Sequence, residues 1–97
     1  MSEGTAATIR LKVVTPRRLL AEADADAVAL PGLEGELGIF PGHRPLFAAL
    51  GSGRISYRSG GFEESFAVRG GYAQVGPDEV LVMTEEAEDD GSGAPSA

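Results

Sequence analysis

Glycine and proline interrupt this chain so often that little beyond short elements can form between them. Pro31-Gly32, Gly51-Ser52-Gly53, Ser59-Gly60-Gly61 and Gly76-Pro77-Asp78 separate its apolar runs. Glycine admits positive φ and proline fixes φ near −65°, so clusters of this kind favour chain reversal. The last three clusters read as hairpin turns between successive antiparallel strands. Fourteen glycines in 97 residues make frequent tight turns, and hence short strands, the expectation for the whole chain.

The apolar pattern agrees. Ile9, Leu11 and Val13 alternate with Arg10 and Lys12, the period of a half-buried strand, which Pro16 ends. Leu19-Leu20 and Val28-Ala29-Leu30 read as two short strands flanking the segment Glu22 to Asp26. Alanine there favours helix, but no cap with a sustained 3.6-residue stripe appears before Pro31. Ile55 and Tyr57 form one apolar face, and Phe62, Phe66 and Val68 another, with Glu64 as its exception. Phe66 and Tyr72 read as core or sheet-face packing. Val80 to Met83, the most continuous apolar run, reads as the last strand, covered on both faces. Beyond Thr84 the chain turns acidic and then rich in Gly, Ser, Ala and Pro. The expectation is a flexible N-terminus over 1–7, one all-β sandwich or flattened barrel over 8–86, and a disordered acidic tail over 87–97.

Composition narrows the function. Without cysteine there is no disulfide framework and no thiolate metal site. The net charge of −7 divides into −2 up to Met83, from ten acidic and eight basic residues, and −5 from the acids after it. Nucleic-acid binding, which relies on clustered Lys and Arg, is not expected. No apolar run approaches the roughly 18 residues of a membrane span, and no signal peptide opens the chain. A soluble cytoplasmic monomer without direct bilayer insertion is expected.

The densest run of turn formers is Pro31 to Pro45, PGLEGELGIFPGHRP, which specifies a bent hairpin ending in a rigid turn. Leu37 and Ile39 cannot share a strand face with Phe40, so one large side chain is presented outwards. Gly32, Gly35 and Gly38 do not make a phosphate cradle, because the residues between are acidic and no Lys or Ser/Thr closes the loop. Glu34 and Glu36 would lie on one strand face, about 7 Å apart, a spacing glycosidase carboxylates can use. Without Trp there is little to shape a sugar site, so solvated or partner-facing acids fit better. The lone His43 has no partner for a metal cluster, and no serine stands in a nucleophile-elbow context. Neither cofactor nor metal is expected. Arg54, Arg58 and Arg69 read as solvated strand faces or as contacts for an acidic partner. A generic all-β binding module and, more distantly, a small hydrolase using Glu34 and Glu36 compete with the reading that follows.

Glu34-Gly35-Glu36-Leu37-Gly38-Ile39-Phe40-Pro41-Gly42-His43-Arg44-Pro45-Leu46 resembles a characteristic segment of the epsilon subunit family of bacterial F-type ATP synthases. Phe66 to Val75, with its double glycine, resembles that family's strand, turn and strand. Val80 to Thr84 and Leu11 to Pro16 extend the similarity to nearly all of residues 8–88. The resemblance implies a sandwich of about ten antiparallel strands at the foot of the central stalk. There it would bind the gamma subunit and the polar loops of the membrane rotor ring, on the cytoplasmic face of the bacterial plasma membrane, coupling rotation without catalysing. By position Glu36 and His43 match family residues near those contacts, and Thr15 a small hydroxyl residue expected at the same end of the sandwich. Gly38, Phe40, Pro41 and Gly42 belong to the same contact segment. Family members continue into a helical hairpin that inhibits hydrolysis and sometimes binds ATP. An acidic tail stands in its place here, so neither property is expected.

Overall fold

The computed structural model describes residues 7–85 and, by backbone alone, residues 87–88. Eight strands appear in order: β1 (Ile9–Val14), β2 (Leu19–Ala25), β3 (Ala27–Gly32), β4 (Gly35–Ile39), β5 (Leu46–Ser59), β6 (Phe62–Val75), β7 (Glu79–Met83) and β8 (Ala87–Glu88). They form one sheet in the order β2-β1-β7-β6-β5-β3-β4, with β8 on β6. The described residues thus hold eight strands, not about ten. Nor is the sheet wholly antiparallel, since β1 lies parallel to β7. Turn spacing reveals only neighbours in sequence, whereas this pairing joins strands separated by most of the chain.

The expected turn at Gly51-Ser52-Gly53 is absent. Residues 46 to 59 form one strand, paired in unbroken register with residues 75 to 62. Opposite Leu50 and Gly51 lie Gly71 and Gly70, with φ of 116° and 71°. Glycines in both partners therefore bend the two-stranded ribbon where glycines in one segment would have reversed it. Beyond the bend, Tyr72–Val75 pairs with β7, while Ala67 and Val68 pair with β8 and the far part of β5 pairs with β3. The sheet folds over, and side chains from both halves meet in one core of Ile9, Leu11, Val13, Val28, Leu30, Ile39, Ile55, Val68, Val80 and Val82.

The alternation in β1 holds: Ile9, Leu11 and Val13 are fully buried. The segment from Glu22 to Asp26 is different, since β2 continues through it and pairs with β1 from Leu19 to Ala25. Its alanines follow the strand phase, and Arg10 reaches both Glu22 (3.6 Å) and Asp24 (3.4 Å) on the outer face. Val80 and Val82 are buried, whereas Leu81 and Met83 are half-buried, so β7 is fully covered on one face only. It is also followed by β8. The expected tail from residue 87 opens with that two-residue strand, and residues 1–6 and 89–97 lie outside the described residues. The exception at Glu64 has a positional cause. Along the face 62, 64, 66, 68 burial rises from exposed to buried, because the hairpin tip projects past the core and Phe62 is left 72% exposed.

Among the described residues, Thr84 is the buried polar residue of this core, at 3% exposure. Its hydroxyl donates to the Gly70 carbonyl at 2.8 Å and its N–H to the Val14 carbonyl at 3.0 Å. One residue, through its hydroxyl and its backbone N–H, thus ties the ends of β1 and β7 to the bend in β6.

Candidate functional site

The segment from Pro31 to Pro45 is the bent hairpin its composition specifies. β3 and β4 pair from Val28–Ile39 to Gly32–Gly35, leaving Leu33 and Glu34 as the turn. Glycine is required at 32, where a Cβ would come 2.6 Å from the Gly35 carbonyl oxygen. At the far end of β4 the His43 N–H donates to the Phe40 carbonyl at 3.1 Å, closing a turn with Pro41 second and Gly42 third at φ 87°. Those are the positions a type II turn assigns to proline and glycine. The Gly42 N–H donates to the Pro77 carbonyl at 2.9 Å, which fixes this turn to the one between β6 and β7. Ile39 is buried and Phe40 is 60% exposed, so Phe40 is the side chain presented outwards, its ring beside Gly38.

The residues singled out from the sequence do not form one cluster. Glu36 is exposed on β4 opposite Pro31. Glu34 lies in the turn, so the two carboxylates do not share a strand face as expected. His43 is half-buried, with Nδ1 2.7 Å from the Arg44 carbonyl oxygen. A carbonyl only accepts, so in this contact Nδ1 is the donor. Thr15 uses its hydroxyl locally, accepting from the Arg17 and Arg18 N–H groups at 3.1 and 3.2 Å in the turn between β1 and β2. The two lie at opposite ends of β7: Thr15 follows Val14, which binds Thr84, whereas the His43 turn binds Pro77. Strand rise puts about 16 Å between those ends, so Thr15 and His43 do not share an end of the sandwich as expected.

Three surface features were not legible in the sequence. On the outer face of the sheet, Phe47 and Tyr72 stack with ring centroids 5.4 Å apart, 62% and 51% exposed. Tyr72 is therefore sheet-face packing of the outward kind. Its direction is legible in sequence, since Ala73 and Val75 occupy the inward phase; Phe47 carries no such signal. Beside them an open cleft of about 660 Å³, lined by Val14, Leu33, Ala49, Tyr72, Met83 and neighbours, reaches Thr15 and Arg69. A second cleft, of about 560 Å³, brings Glu36 together with Arg54, Ser56 and Ser65. Arg58 lies on the same outward phase of β5 but outside it. Among the described residues no three His, Asp or Glu side chains converge as metal ligands, and no helix is long and apolar enough to cross a membrane.

Residues 8–90 match the family model described as the ATP synthase delta/epsilon chain, β-sandwich domain. The chain belongs to that family. It is 46% identical over 81 residues to the ATP synthase epsilon chain of Alkalihalophilus pseudofirmus, covering 84% of this chain and 61% of that relative. To the epsilon chain of Nitratidesulfovibrio vulgaris (strain Miyazaki F) it is 42% identical, covering 84% and 60%. The chain thus spans about three-fifths of the length of these relatives. Among solved structures, a chain of the Euglena gracilis mitochondrial ATP synthase, in its OSCP/F1/c-ring assembly, superposes with a TM-score of 0.79 at 25% identity over 91% of this chain and 57% of that one. A chain of the Tetrahymena thermophila mitochondrial ATP synthase central stalk and c-ring shares the fold, at TM-score 0.71 and 16% identity over 91% and 71%.

Proposed function

We propose that this chain is the central-stalk, rotor-side subunit of an F-type ATP synthase. It binds the gamma subunit and the polar loops of the membrane rotor ring, and couples ion translocation to ATP synthesis without catalysing a step. Its place is peripheral, on the cytoplasmic face of a bacterial plasma membrane. The observation that carries this reading is that the epsilon-like segment is both rigid and displayed. Gly42 is tied to Pro77 and His43 to Phe40, while Glu36 and Phe40 point to solvent. Side chains held this way meet a partner with little loss of conformational freedom, which is what a torque-bearing contact needs. Gly38, Pro41 and Gly42 shape that contact, Phe40 supplies an aromatic anchor, and Glu36 and His43 supply the polar pairing. Thr15 serves from the opposite end of β7, as a contact separate from the His43 turn.

Reconstitution tests the reading. Added to F1 stripped of its own epsilon subunit and to vesicles carrying the rotor ring, the chain should co-sediment with gamma and restore ATP-driven ion pumping. Glu36→Lys should fold normally, within about 0.5 kcal/mol of the parent, yet need more protein to restore pumping, with the deficit shrinking at high salt. A parent chain that neither binds nor restores pumping would refute the reading.

A further inference from the structure

The two clefts differ in what they accept. The larger is lined mainly by apolar side chains, whereas the smaller, between β4, β3 and β5, has Glu36 and Arg54 on its walls with Ser56 and Ser65 beside them. The Arg54 guanidinium is oriented by donating from Nη2 to the Ser65 hydroxyl at 3.1 Å. Ser65 lies directly opposite Ser56 across the β5–β6 ladder, so both hydroxyls sit on the outward face that carries Arg54. Two glycines allow close approach of the chain around the cleft. A Cβ on Gly53 would come 2.7 Å from Pro31 Cβ, and one on Gly32 would come 2.6 Å from the Gly35 oxygen. At about 560 Å³ the cleft holds a few residues of extended chain, whereas a helix about 10 Å across would need a broader seat.

We infer that this cleft is a two-charge reader, in which Glu36 and Arg54 together bind one extended polar loop of a partner protein. The loop offers a cation or amide N–H to the Glu36 carboxylate and a carboxylate or carboxamide oxygen to the Arg54 fork. Guanidinium geometry suits a planar oxygen pair, and a carboxylate beside it rejects a purely acidic or purely basic loop, so the pair confers selectivity that either charge alone would lack. The inference rests on the proposed function, in which that loop belongs to the rotor ring, and adds Arg54, Ser56 and Ser65 to the contact.

The same reconstitution, with the full chain titrated into stripped F1 and ring-containing vesicles, tests it through Glu36→Gln, Arg54→Gln, their combination, and Arg58→Gln as a control. Urea midpoints confirm that each variant is folded. Glu36→Gln and Arg54→Gln should each raise the concentration giving half-maximal pumping about fivefold, with the double variant well short of the product of the two effects. Arg58→Gln should match the parent. If Arg54→Gln behaves like Arg58→Gln while Glu36→Gln weakens attachment, the two-charge reader is wrong and the proposed function stands. Full additivity in the double variant would likewise overturn a shared loop. Failure of the parent chain to attach would overturn both.

Discussion

Two glycine-rich stretches of this molecule look alike in sequence and behave differently. At the bend, a Cβ on Gly71 would collide with the Met83 carbonyl oxygen and lie 2.8 Å from the Thr84 Cα, with φ at 116°. In the displayed hairpin, Gly35 and Gly42 also have positive φ, of 135° and 87°, but nothing lies within 4 Å of where their Cβ atoms would be. Glycine at 71 meets a packing demand and a torsional one; at 35 and 42 it meets the torsional one alone. The difference teaches where the fold is closed and where it is open. At the bend, strands β6 and β7 press backbone against backbone, and any side chain must displace them. Along the hairpin, the surface beside Gly35 and Gly42 is left clear, as a contact surface requires.

The sharpest way to break this comparison is to add one methyl group to each site. Gly71→Ala combines torsional strain with a backbone collision and should cost about 3–5 kcal/mol, enough to leave the chain unfolded or nearly so. Gly42→Ala carries torsional strain alone and should cost about 1–2 kcal/mol while keeping a cooperative transition. Chemical denaturation measures both. Equal losses would mean that the bend is not the closed site described.

A smaller effect sharpens the separation of the two ends. Thr15→Ala removes the hydroxyl that accepts from Arg17 and Arg18, and His43→Ala removes the donor to the Arg44 carbonyl. Each should cost about 1 kcal/mol. Because the two lie at opposite ends of β7, the double variant should be additive within about 0.5 kcal/mol. Clear non-additivity would place them in one network after all.

The smallest effect concerns pH. Tyr57 stands opposite Glu64, and burial first, then the Glu64 carboxylate, raises its phenol above the ordinary value of 10.0. The fold therefore favours the neutral phenol. This contribution is whole below the unfolded value and is lost as pH climbs through the raised folded one. Tyr57→Phe should flatten the alkaline decline of stability above pH 10.0, and Glu64→Gln should reduce it less. Denaturation midpoints on both sides of that pH measure the difference, and an unchanged alkaline slope in Tyr57→Phe would remove Tyr57 from the account.

Much of the molecule was legible in local sequence. The alternation of Ile9, Leu11 and Val13 gave the inward phase of β1, and the mismatch between Ile39 and Phe40 required one large side chain to face outwards, which the structure shows to be Phe40. Pro41 and Gly42 announced their turn, since each residue type has few conformations to choose from there. These properties depend on a residue and its near neighbours, so the sequence by itself determined them. The bend at Gly51 was not legible, because glycine permits a turn, a bulge or a close approach equally, and only Gly70 and Gly71, which face Gly51 and Leu50 across the ladder, select among them. The alanine-rich β2 was hidden for a similar reason: its strand state comes from pairing with β1, which overrides alanine's preference for helix. Tertiary structure alone decided the parallel pairing of β1 with β7, the placement of Thr15 and His43 at opposite ends, and the meeting of Glu36 with Arg54. Each joins residues far apart in the chain, and burying one shared core chooses that arrangement among the many that local preferences allow.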